Sequence, residues 1–382
     1  MTDDTDYIEP APWIDAPLKA HKGRGAISNI SGRYEIQQIE AVDDGWWQDE
    51  DETGRFTGFK THVTPEYAKT ILSRNQSPDL PFGVSLNPYR GCEHGCIYCF
   101  ARPTHSYLGL SPGLDFETRL YAKVNAPDLL RRELAHKSYV PASLALGVNT
   151  DAYQPCERRL GLTRQLVEIF HECQHPVGLI TKSALIERDI DLLSEMAQRK
   201  QAAAAVTITT LDHGISRTLE PRAASPARRL ETIRRLVKAG IPVAVSVAPV
   251  IPFVTEQELE KVLEAAVTAG ASSAGYTVLR LPWEVNPLFQ EWLQTHFPER
   301  AERVMNRIRD MRGGKDYQAQ FGSRMKGEGL WADMIRQRFE KAVRRLGINR
   351  SDRRFDLDCS QFRKPVYIPP ITRPSNGQLD FF

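Results

Sequence analysis

Residues 87–103 read NPYRGCEHGCIYCFARP and hold three of the chain's six cysteines, Cys92, Cys96 and Cys99. The segment closes a short apolar run at 83–88 (GVSLNP). Five more such runs follow, at 143–148 (SLALGV), 177–181 (VGLIT), 204–210 (AAVTITT), 242–248 (PVAVSVA) and 275–281 (GYTVLRL). Amphipathic stretches lie between them, at 162–172, 189–199, 226–238 and 255–268. Apolar strands alternating with helices predict a parallel sheet covered by helices, and six units predict an α/β fold with a partial (β/α)6 TIM-like barrel. In that architecture chemistry sits at the C-terminal ends of the strands, where the cysteine triplet falls. Ser225 and Thr255 are expected helix N-caps, the latter with Glu258 at capping-box spacing. Gly240 and Gly270 are expected helix stops.

The barrel core is expected over residues 81–298. Residues 1–80 read as an N-terminal extension, loose over 1–22, with partial strand alternation at 27–41 and an acidic loop at 45–54. Residues 299–382 read as a basic helical C-terminal appendage, broken at Gly313 and Gly314 and ending in an extended tail. Between Arg300 and Lys364 there are 18 Lys and Arg against 9 Asp and Glu, although the whole chain carries only +2. A basic segment that also bears Tyr317, Phe321, Trp331 and Phe339 makes a nucleic acid the first partner to expect, because cations neutralise phosphates and rings stack on bases.

The 382 residues are 41% hydrophobic and 26% charged, which suits a globular chain and excludes a disordered or fibrous one. The longest uncharged stretch, 239–255, is too short and proline-rich to span a bilayer, so no membrane partner is expected. The opening MTDDTDYIEPAPW is acidic where a signal peptide would be basic and then apolar. A cytoplasmic protein is therefore expected, where cysteines stay reduced and a tight triplet reads as metal binding or redox chemistry.

The triplet has the spacing C-x3-C-x2-C. Three thiolates can hold one face of a metal centre, and thiolates favour zinc or iron–sulfur clusters. Zinc in a structural site would want a fourth ligand, for which His94 and Cys156 have no standard spacing. A redox pair built on Cys96 and Cys99 leaves Cys92 unused. Inert cysteines remain a further reading. An iron–sulfur cluster with one open position accounts for all three thiols.

C-x3-C-x2-C with an aromatic before the last cysteine, at the end of the first barrel strand, resembles the radical S-adenosylmethionine (SAM) superfamily. The resemblance implies a [4Fe-4S] cluster on Cys92, Cys96 and Cys99 and SAM chelated at the fourth iron. It further implies one-electron cleavage to a 5′-deoxyadenosyl radical that abstracts hydrogen from a substrate, and an electron donor such as flavodoxin or ferredoxin. Residues 219–251 and the LITKS ending the third strand are similar to spore photoproduct lyase and its relatives, often labelled DNA repair photolyases. By that resemblance Thr150 and Asp151 contact the ribose of SAM, Lys182 holds its carboxylate, Thr207 adds a hydrogen bond and Tyr98 lies against the adenine.

The chain departs from that pattern twice. Lesion-repairing members carry a hydrogen-donating cysteine just before the Thr150–Asp151 pair, where this chain has Asn149. They carry tyrosine after the third cluster cysteine, where this chain has Phe100. Repair of spore photoproduct is therefore not expected, and Cys156 is the candidate for a displaced donor. Radical modification of a protein or small metabolite, or a non-catalytic iron–sulfur protein, are the alternatives. His105, Asp115 and above all Arg280, which ends the sixth strand, are candidate substrate contacts.

Overall fold

The computed structural model describes residues 20–34, 60–349 and 356–367. Its strands are β1 (His62–Glu66), β2 (Leu72–Arg74), β3 (Val84–Leu86), β4 (Tyr89–Arg90), β5 (Arg119–Lys123), β6 (Leu144–Leu146), β7 (Val177–Thr181), β8 (Ala202–Thr207), β9 (Val243–Val250) and β10 (Ser273–Val278). Seven of them form one sheet in the order β10-β9-β8-β7-β6-β3-β2. From β3 to β10 every neighbouring pair is parallel, whereas β2 joins β3 antiparallel as an edge strand. Six sequential parallel strands with helical crossovers form the partial barrel that the apolar runs predicted. A second sheet, β1-β5-β4, stands beside it.

Local chemistry explains the helices between the strands. Leu162–Glu172 turns Leu166, Val167, Ile169 and Phe170 inward onto the sheet, and Phe170 is wholly buried, so Phe170→Ala should cost ~3–5 kcal/mol. In Pro226–Lys238 the Ser225 hydroxyl accepts from the Arg228 amide, as an N-cap should, and Gly240 and Gly270 take positive φ just past their helices. Thr255 is a correction. Its hydroxyl serves the Ile251 amide and the Pro249 carbonyl instead of a helix end, and the Glu258 carboxylate accepts from Thr210 and the Leu211 amide.

The flanking regions join the barrel more closely than the sequence suggests. Strand β2 lies within residues 1–80 yet extends the main sheet, and β1 pairs with β5. The Gly25 and Ala26 amides donate to Glu117, beside the cysteine loop. The expected strand alternation at 27–41 is unstructured over 27–34, and its remainder lies outside the described residues. So do residues 1–19 of the loose start, the acidic loop and the tail from residue 368. The appendage contributes helices Pro298–Asp310 and Gly329–Leu346, the latter burying Ala332, Ile335, Phe339 and Ala342. Among the described residues no helix is long and apolar enough to cross a membrane.

Candidate functional site

Residues at the C-terminal ends of four barrel strands converge on the cysteine loop. The loop is itself pinned from several sides. Its backbone is tied by the Cys92 amide to the Phe116 carbonyl (2.9 Å) and by the Ile97 amide to the Leu219 carbonyl (3.1 Å). Beneath it the wholly buried Arg102 donates to the carbonyls of Cys96 (2.9 Å), Gly95 (3.2 Å), Pro112 (3.0 Å) and Gly113 (2.9 Å). Gly95 sits at φ +66°, and a Cβ there would meet a Glu117 carboxylate oxygen at 2.7 Å, so both its conformation and its space call for glycine.

Cys92 and Cys96 are buried, Cys99 is partly exposed, and all three thiols are free. Burial pushes the Cys92 thiol up, and the charges of Asp151, Cys96 and Cys99 add to this. Burial likewise lifts Cys96 to about 12, against the opposing charge of Lys182. Three soft donors that cannot share negative charge without a cation among them are the donor set an iron–sulfur cluster needs. Among the described residues no three His, Cys, Asp or Glu side chains close around a single metal ion.

Asp151, after β6, is the next element. It accepts from the Thr181 hydroxyl (2.8 Å), the Lys182 amide (2.8 Å) and the Tyr153 amide (2.9 Å), and stands 3.3 Å from the His94 ring. Burial alone would raise its carboxyl; the charge and hydrogen bond of His94, with Lys182, outweigh it and hold the group at about 2. Thr150 is buried, its hydroxyl donating to the Tyr89 carbonyl at 3.0 Å.

Lys182 follows β7 directly. Burial alone would lower its ammonium, but the charges of Cys96, Glu220 and Asp151 raise it. The ammonium lies 5.9 Å from the centre of the Tyr98 ring. Thr207 ends β8, opposite Ser246 of β9, and its carbonyl accepts from the buried Arg229 at 2.9 Å. Tyr98 donates its hydroxyl to Glu220, leaving its ring face as the surface it can offer a ligand.

The sequence reading missed Glu220 and Arg229, a buried ion pair that also engages Thr209. Burial would raise Glu220, but Arg229 and then Lys182 hold it at about 2. One signal was available: Arg229 falls on the apolar stripe of its helix with Thr232, Ile233 and Leu236. A charge at such a position must have a buried partner.

Three candidates are corrected by their surroundings. His105 is wholly buried, its Nε2 2.9 Å from the Arg119 carbonyl and its ring edge-on to Phe116. It packs beneath the loop. Asp115 accepts from the Ser111 amide of the preceding turn and lies 3.5 Å from Arg119 at i,i+4, holding its short helix in place. Cys156 is packed among Tyr89, Leu120, Ala122 and Leu162, against the second sheet. Burial, with the charges of Glu93 and Glu157, raises its thiol.

The Arg280 guanidinium lies 5.4 Å from the centre of the Phe100 ring, next to Cys99. Part of the basic appendage's charge is paired: Arg338 with Glu256 and Glu260, Arg345 with Glu264, and Arg336 with Asp333 and Glu340.

The radical SAM superfamily model matches residues 86–266, which contain the cysteine loop, Asp151, Lys182, Thr207 and Glu220. Residues 86–266 thus carry a radical SAM superfamily domain, and that superfamily uses a [4Fe-4S] cluster and SAM. An uncharacterised Mycobacterium tuberculosis protein is 37% identical over 226 residues, which span 59% of this chain and 66% of that protein. A radical SAM Nalpha-GlyT isomerase of Pseudomonas phage M6 is 24% identical over 274 residues, 71% of this chain and 51% of the isomerase. A spore photoproduct lyase variant solved with AdoMet and dinucleoside spore photoproduct covers 81% of this chain and 85% of its own, at 14% identity and a TM-score of 0.53. That likeness is one of fold.

Proposed function

We propose that this radical SAM enzyme abstracts a hydrogen atom from a nucleic-acid substrate held at the barrel mouth. The cluster, when bound at Cys92, Cys96 and Cys99, supplies the electron that splits the sulfonium of SAM. The chain's own residues place the cofactor. Lys182, the cation between Cys96 and Asp151, holds the SAM carboxylate as an ion pair, and Asp151 accepts from a ribose hydroxyl. The Thr150 hydroxyl oxygen keeps accepting capacity for the same ribose, Thr207 adds a hydrogen bond from β8, and the Tyr98 ring faces the adenine. The electron comes from a donor of the flavodoxin or ferredoxin class.

The observation that carries the substrate reading is the aromatic rim. Phe100, Tyr107, Trp283 and Tyr34 are all exposed. Tyr34 stacks on Tyr107 at 5.1 Å, Arg33 covers Trp283 at 4.1 Å, and Arg280 lies by Phe100. Rings alternating with guanidiniums are a platform for unpaired bases. The dinucleoside bound by the structural neighbour supports the same class. Repair of spore photoproduct is not proposed, because Asn149 and Phe100 offer no weak X–H bond and Cys156 is buried in an apolar cluster.

The test is anaerobic reconstitution of the full chain, followed by SAM, dithionite and short single-stranded DNA. Methionine and 5′-deoxyadenosine should form in equal amounts, with the abstracted hydrogen on the 5′ carbon, and DNA should stimulate the rate. A full cluster that yields no 5′-deoxyadenosine would sink the enzyme reading. Cleavage indifferent to DNA and RNA would turn the substrate towards a protein or metabolite.

A further inference from the structure

Several arginines in the appendage end on a carboxylate: Arg307 on Asp310, Arg309 on Asp316, Arg324 on Asp79. Arg280 and Arg312, close enough for the charge of the first to act on the second, do not. Arg280 has only loose contacts, with the Tyr317 hydroxyl at 3.5 Å and the Met325 sulfur at 3.6 Å, and its buried Nε has no partner. Arg312, 1% exposed, donates to the carbonyls of Leu279 (2.8 Å) and Ser323 (2.9 Å), and its Nε is also buried without a partner. Among the described residues no carboxylate lies within 4.0 Å of either group. The exposed Glu328 acts on Arg312 only from beyond that range. Burial and the charge of Arg280 lower Arg312 to about 10.

Two unneutralised guanidiniums side by side in a partly dry pocket are costly, and the missing charge is negative. Arg280 is half-buried beside Phe100 and therefore beside the cluster loop, while the buried Arg312 supports it through the carbonyl of the adjacent Leu279. The planar fork of Arg280 suits an oxyanion with two acceptor oxygens. On the amino-acid side of SAM that role already belongs to Lys182.

We propose that Arg280, positioned by Arg312, is the site for a backbone phosphate of the substrate strand, which sets the reacting nucleotide against Phe100. This rests on the nucleic-acid reading above and gives it an anchor point. A stacked base has no fixed register along a ring platform, and a phosphate held at one point supplies it.

The test uses the reconstituted full chain and a short fluorescein-labelled oligothymidylate, followed by anisotropy across a range of salt concentrations. Arg280→Gln should weaken binding about tenfold and reduce the log–log salt slope by about 0.7, the share of one phosphate on a single strand. Arg280→Lys should restore most of the slope but only part of the affinity. Iron content and SAM affinity are measured in parallel, which separates a lost anion site from a damaged barrel. Wild-type affinity and slope in Arg280→Gln would overturn the phosphate site and leave the nucleic-acid reading standing. If the wild type binds inorganic phosphate through Arg280 but no oligonucleotide, the anion site stands and the nucleic-acid reading falls. Binding of neither overturns both.

Discussion

The guanidinium of Arg102 and the carboxylate of Glu117 form an ion pair from which solvent is wholly excluded. The pair joins the cysteine loop to the N-terminal segment, because Arg102 holds the Cys96 and Gly95 carbonyls while Glu117 accepts from the Gly25 and Ala26 amides. A buried pair contributes little against an apolar substitute, yet removing one partner strands the other charge. Glu117→Ala should therefore cost ~3–5 kcal/mol in denaturant unfolding of the apo protein and lower the iron bound on reconstitution. A variant with unchanged stability would show that the pair is not what fixes the loop.

Iron binding should depend on three cysteines alone. Replacing Cys92, Cys96 or Cys99 by Ala should abolish thiolate-to-iron absorption and the roughly four irons per chain expected of one cluster. Cys156→Ala, Cys173→Ala and Cys359→Ala should leave both intact, since these thiols stand apart from the loop. Stoichiometric zinc in place of iron would reverse the assignment.

The contrast between cysteine loop and appendage shows what a sequence makes legible. Six strands were visible because apolar runs record burial on both faces, and the loop because spacing alone nearly specifies its chemistry. Lys182 and Asp151 were reachable only through the resemblance to spore photoproduct lyase and its relatives. Glu220 and Arg102 were not, since a lone charge in a chain looks the same whether solvated or paired. For the same reason the positive segment after Arg300 does not show which of its cations are paired. Its partners, Glu256, Glu260 and Glu264, lie some 80 residues away along the chain, and only the fold brings them together.

Arg338 tests that pairing. Its side chain is 26% exposed and meets Glu256, Glu260 and the Glu256 carbonyl. Arg338→Glu replaces attraction by repulsion at a partly solvated site, which should cost about 1–2 kcal/mol of stability. DNA affinity of the folded variant should stay close to wild type. A large loss of affinity with unchanged stability would restore the appendage as a nucleic-acid surface.

His175 should impose a pH dependence on stability. The ring is wholly buried, its Nδ1 donates to the Pro176 carbonyl at 2.9 Å, and its Nε2 accepts from the Tyr139 hydroxyl at 2.6 Å. Burial lowers the group from 6.5 to about 4. The unfolded chain therefore binds the proton first as pH falls. Stability is full above about 6.5 and drops by roughly 3 kcal/mol as pH approaches 4. His105, also lowered by burial, adds with the same sign, so His175→Gln should flatten the unfolding profile in that window without abolishing its slope. An unchanged profile in the variant would mean that His175 does not titrate there.

Lys182 separates cofactor binding from cluster assembly. Its ammonium faces the thiol and carboxylate charges of Cys96, Asp151 and Glu220, while its backbone amide ties β7 to Asp151. Substitution leaves the backbone bond in place, so Lys182→Ala removes the cation and little else. Loss of a charge-assisted hydrogen bond to a carboxylate should weaken SAM binding by roughly 1.5–3 kcal/mol, about tenfold to a hundredfold. Iron content should hold, because the thiolates remain. Lys182→Arg keeps the charge but misplaces it, and should recover part of the affinity without full cleavage activity. Titration of the reconstituted variants with SAM, read by the change in the cluster's electron paramagnetic resonance signal, measures the loss directly. Wild-type SAM affinity in Lys182→Ala would move the carboxylate to another cation, and Arg229, buried against Glu220, is already neutralised. Arg280 would then be the group to examine, and its Gln variant would lose SAM as well as oligonucleotide.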